Sequence, residues 1–99
     1  MSKYDVYSMT EGEGLLLDVQ AELLDALNTR VVVPLLPKTL APKPARRLNP
    51  IFKIDGNSYV MVTQFLAAVP VGELRRPVSN LEPEFAVITE ALDMVFQGF

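Results

Sequence analysis

The chain has 99 residues, 49% of them hydrophobic and 21% charged, with a net charge of −3 and neither cysteine nor histidine. That length is about one small folding unit, and the balance is globular rather than disordered or fibrous. The missing residue types exclude disulfides, thiolate chemistry, Ser/His and Cys/His catalytic pairs and the commonest metal ligand, and the acidic balance argues against holding nucleic acid by overall charge.

Residues 3–9 (KYDVYSM) are rich in β-formers and alternate Tyr4, Val6 and Ser8 against Asp5, Tyr7 and Met9. A flexible turn at 10–14 (TEGEG) then leads to an apolar strand at 15–19, so the first 19 residues read as a hairpin. Residues 20–28 (QAELLDALN) favour a helix or helical turn with Leu23, Leu24 and Leu27 on one side. The β-branched run 29–36 (TRVVVPLL) predicts a central strand with Pro34 at its end or at a bulge, because proline donates no ladder hydrogen bond.

Residues 37–50 hold four prolines and read as a long loop. Next, IFKI and SYVMVT flank Asp55-Gly56-Asn57, residues suited to a tight hairpin turn. Residues 67–71 add a short strand interrupted by Pro70. At the C-terminus, Pro83 suits a first helical turn, Phe85, Ile88, Leu92, Val95 and Phe99 recur at helical spacing, and Gly98 ends the helix. The expected fold is mainly β with a C-terminal α-helix, one domain over residues 1–99.

No apolar leader follows the basic start, and the most apolar stretch, 65–71 (FLAAVPV), is far shorter than the ~20 residues of a membrane span. A soluble, cytoplasmic chain with no membrane partner is the expectation. Charge is segregated: residues 38–53 carry Lys38, Lys43, Arg46, Arg47 and Lys53 with no acid, whereas both flanking ends are acidic. The four serines occupy no nucleophile elbow, Glu11-Gly12-Glu13-Gly14 would repel phosphate, and no calcium-type spacing occurs. A binding protein without catalytic residues, metal or cofactor is expected rather than an enzyme. The aromatic ending, Phe96 and Phe99, either folds back onto the core or forms a contact surface.

Several segments taken in order carry a resemblance: YDVY at 4–7, Asp18-Val19-Gln20, Leu23-Leu24-Asp25, RVVVP at 30–34, residues 50–54 and 61–63, AVPV at 68–71, and Gly98 next to last. Together they resemble the CcdB family of toxins from bacterial toxin–antitoxin modules, over essentially the whole chain. The resemblance implies an SH3-like antiparallel barrel that forms a homodimer. It also implies binding to the A subunit of DNA gyrase, trapping of the gyrase–DNA cleavage complex, and neutralisation by a CcdA-type antitoxin. Operator DNA would be met only indirectly, through the antitoxin.

Carried over by position, the gyrase contacts are Leu23, Leu24, Asp93, Phe96, Gln97, Gly98 and Phe99. Ser8, Met9 and Thr10, with the basic Lys43, Arg46 and Arg47, are the candidate antitoxin contacts. Gln97 departs from the family's tryptophan, offering amide hydrogen bonds in place of a π-face. Asp93 replaces an asparagine, Phe99 replaces an isoleucine, and the 8–14 loop is one residue shorter. Two other readings stay open: a MazF/Kid-type endoribonuclease using Arg46 and Arg47, and a CcdB homologue that has lost gyrase poisoning.

Overall fold

Apolar alternation in the N-terminal half becomes a curled antiparallel sheet packed on one face by an α-helix. The computed structural model describes residues 2–98. Its strands are β1 (Asp5–Ser8), β2 (Leu15–Asp18), β3 (Thr29–Pro37), β4 (Ile51–Ile54), β5 (Asn57–Met61), β6 (Ala67–Pro70) and β7 (Pro77–Asn80), and the helix is α1 (Phe85–Gln97). The order β4-β5-β3-β2-β1-β7, with β6 also on β3, leaves β4 and β7 at opposite edges. The expected barrel is therefore a half-barrel: mainly β, antiparallel, with one C-terminal helix.

Strand parity decides the two faces. Val6, Leu15, Leu17, Val33 and Leu35 face the main core, where they meet Phe52, Ile54, Met61 and the helix residues Ile88 and Ala91. Tyr7 and Val32 point the other way and pack with Leu74. Asp18 and Arg30 share that second parity, in step with Leu16 and Val32.

The β1–β2 hairpin forms as expected, with Val6 opposite Leu17. Asp55 and Gly56, at φ 51° and 82°, close the β4–β5 hairpin, in which Ile54 pairs with Asn57. Pro34 departs from expectation: it sits in the middle of β3, not at its end. β6 pairs with residues 29–32 of β3 and β5 with residues 35–37, so the missing N–H faces the junction between two partners. There the Pro34 carbonyl accepts a hydrogen bond from Val62 N–H at 3.0 Å. The edge strand β7 was not expected; it pairs Asp5 with Asn80 and Tyr7 with Pro77 across a bulge.

The helix ends at Gly98, φ 81°, whose N–H donates to Met94 O at 2.9 Å. Its buried stripe is narrower than the spacing predicted. Ile88 and Ala91 are buried, Leu92 packs partly on the core, and Phe85 is exposed. Phe85 precedes the part of the helix that meets the sheet and lines a surface hollow with Arg47 instead. Phe99 of the predicted stripe lies outside the described residues. Among the described residues, no helix is long and apolar enough to cross a membrane.

Candidate functional site

The connection between β2 and β3 is the most unusual surface feature. Every residue from 21 to 29 is exposed, although three of them are leucines. Leu23 is 96% exposed, and Leu24 and Leu27 are half-exposed, on and just after a one-turn 3-10 helix at Glu22–Leu24. The sequence's helical turn is present, but its apolar side faces outward. Burying one such side chain in a partner yields about 1.5–3 kcal/mol.

Beneath this turn lies a buried polar group. Arg30 Nε donates to Asp18 Oδ2 at 2.9 Å, and Nη2 lies 2.7 Å from the same oxygen without hydrogen-bond alignment. The pairing therefore uses one carboxylate oxygen instead of a bidentate fork. Asp18 Oδ1 accepts from the Gln20 N–H at 3.0 Å. Burial raises the Asp18 carboxyl above its ordinary value, opposed by the Gln20 N–H and by Arg30. Nearby, burial, then the charges of Asp5 and Asp18, push the Tyr7 hydroxyl up to about 12.

The second candidate surface is the helix end. Asp93, Phe96, Gln97 and Gly98 are exposed there, Phe96 to 68%. Of the two fates left open for the aromatic ending, Phe96 takes the outward one; the corresponding reading of Phe99 lies outside the described residues. Left-handed Gly98 closes the helix, so Phe96 and Gln97 stand on its last turn. Asp93 also lines the hollow formed by Phe85, Ala86, Thr89, Glu90 and Arg47.

The residues expected to meet an antitoxin divide between two places. Ser8, Met9 and Thr10 line a hollow of about 330 Å³ with Glu73, Arg75 and Arg76. Arg47 instead reaches from its loop to Glu90 on the helix, Nε to Oε1 at 2.6 Å. Lys43 and Arg46 are exposed and, among the described residues, form no ion pair. Asn49 pins this basic segment to the sheet: its Oδ1 accepts from Ala45 N–H at 3.0 Å, and its Nδ2 donates to Met61 O at 3.0 Å and Gln64 Oε1 at 2.8 Å. Arg75 and Arg76 were not among the residues expected from the sequence. Their adjacency was the available signal, but only the fold brings them beside the 8–10 loop.

A family model described as CcdB protein matches residues 3–98. Among solved structures, the Mycobacterium tuberculosis toxin MazF-mt6 is similar, with TM-score 0.73 and 15% identity over 93% of this chain and 95% of that one. At that identity the likeness speaks for the fold.

Proposed function

This chain belongs to the CcdB family, and from that premise we propose that it is the toxin of a toxin–antitoxin module, binding the A subunit of DNA gyrase and trapping the gyrase–DNA cleavage complex. The observation that carries the reading is the outward leucine turn, with Leu23 96% exposed, together with the exposed Phe96 at the helix end. Exposed apolar anchors at defined positions are how a protein gains affinity without catalysis. The proposed gyrase contacts are Leu23, Leu24, Asp93, Phe96, Gln97, Gly98 and Phe99. A homodimer would present each surface twice, matching a two-fold target.

The hollow formed by Ser8, Met9, Thr10, Glu73, Arg75 and Arg76, and the bases Lys43, Arg46 and Arg47, are proposed to receive the antitoxin. Arg75 and Arg76 join the other candidates because they share that hollow with the 8–10 loop. An acidic, flexible tail is the complementary partner. The toxin would act in the cytoplasm, where gyrase and its DNA are.

The test combines purified protein, gyrase, ATP and supercoiled plasmid, followed by denaturation. Linear DNA is the expected product of a trapped cleavage complex. Unchanged supercoiling would overturn the gyrase reading. Sequence-specific cleavage of a long single-stranded RNA in metal-free buffer would replace it with the endoribonuclease reading.

A further inference from the structure

No residue from 21 to 29 in the turn between β2 and β3 is buried: Leu23 is almost fully exposed, and Leu24 and Leu27 are half-exposed. Polar tethers link the turn to the body. Gln20 Nε2 donates to Leu24 O at 2.8 Å while Gln20 Oε1 accepts from Val31 N–H at 3.0 Å, so one side chain bridges the turn to β3. Arg30 Nη1 donates to Asp25 Oδ1 at 3.0 Å while its Nε grips Asp18. Lys3 N–H reaches Glu22 Oε1 at 2.7 Å, and Val71 N–H reaches Asn28 O at 3.0 Å.

We propose that Gln20 and Arg30 are positioning residues for the leucine turn, holding Leu23 and Leu24 in the geometry that a partner meets. The inference rests on the reading of those leucines as gyrase contacts. Gln20 is 4% exposed and Arg30 1%, so neither can be a major partner contact itself. Bridging a carbonyl and an N–H needs a side chain that donates and accepts at once, which a carboxamide does. Linking a buried carboxylate to a surface one needs the rigid, multi-donor guanidinium. A turn without these tethers must be ordered at the moment of binding, which lowers affinity without removing any contact.

Arg30→Met would strand the buried Asp18 carboxylate and risks unfolding the chain. Gln20→Met keeps the volume and leaves the Asp18–Arg30 pair in place. Asp25→Ala cuts only the outer link of Arg30. The experiment measures backbone 15N order parameters of both variants in the full chain, and the affinity of Gln20→Met for the purified gyrase A subunit. Order parameters across residues 22–27 are expected to fall from the rigid value near 0.85 to below about 0.6 in each variant, while those of β2 and β3 stay rigid. Affinity of Gln20→Met should drop about tenfold, the scale of ordering about one more residue at the moment of binding.

The Leu23→Ala, Leu24→Ala pair should then cost markedly less in the Gln20→Met background than in the native chain, because badly placed leucines have less to lose. A rigid turn in both variants overturns the proposal. So does the full leucine cost in the Gln20→Met background, which would mark a merely structural role. If the leucine pair is silent in the native chain while the turn still loosens, positioning of the turn stands and the gyrase contact falls.

Discussion

Replacing Leu23 and Ile88 by alanine in turn should separate binding from folding. Leu23 is 96% exposed, so Leu23→Ala removes almost no intramolecular packing. Its effect on stability should stay within about 0.5 kcal/mol, the ordinary range for surface substitutions. If the side chain enters an apolar site on gyrase, about 2 kcal/mol of burial is lost there, weakening the complex roughly thirtyfold per engaged copy. Ile88 is the opposite case, fully buried against the sheet with Ala91. Ile88→Ala should cost about 2–5 kcal/mol and lower the melting temperature by at least roughly 8 °C in a chain this small. Thermal melts of both variants, with titration calorimetry against the gyrase A subunit, give the two axes. At a temperature where Ile88→Ala is still folded, its affinity should match the parent. A destabilised Leu23→Ala would show that the turn packs on the body after all. Undiminished affinity of Leu23→Ala would remove that leucine from the contact.

Alkaline titration offers an independent check of the second face. The folded chain holds the Tyr7 proton more tightly than the unfolded one, so stability is intact below pH 10 and declines as pH rises toward about 12. The loss should approach about 2–3 kcal/mol, and Tyr7→Phe should remove both it and the late phenolate signal in ultraviolet titration. Gly98→Ala meets no atom within 4 Å but must hold φ near 81°, so backbone strain alone should cost about 1–2 kcal/mol, read as a lowered melting temperature. Association with an acidic antitoxin should slow steeply between low and high salt while dissociation changes little; equal association rates by stopped flow would refute the electrostatic part.

Where local chemistry was decisive, the sequence by itself was enough. Asp55-Gly56 makes a hairpin turn because both residues adopt the positive φ that the turn requires, whatever surrounds them. The helix up to Gly98 is likewise written in short-range spacing and a left-handed cap. The ordered segments from YDVY to the next-to-last Gly98 carried the family, and with it the residues to test. Pro34 shows the opposite situation. Its place in mid-strand depends on β5 stopping and β6 starting on the same side of β3, a fact of pairing and not of the residue. β7 stayed hidden because its pairing joins Asp5 to Asn80, 75 positions apart, and no local periodicity announces it. Phe85 shared the helical stripe yet is exposed, since only the middle of the helix meets the sheet. Asp18 and Arg30 read as ordinary charges along the chain. Only the fold, by laying β2 against β3, buries them as a pair beneath a turn that hydrogen bonds tie down, with Leu23 fully outward and Leu24 and Leu27 half-exposed.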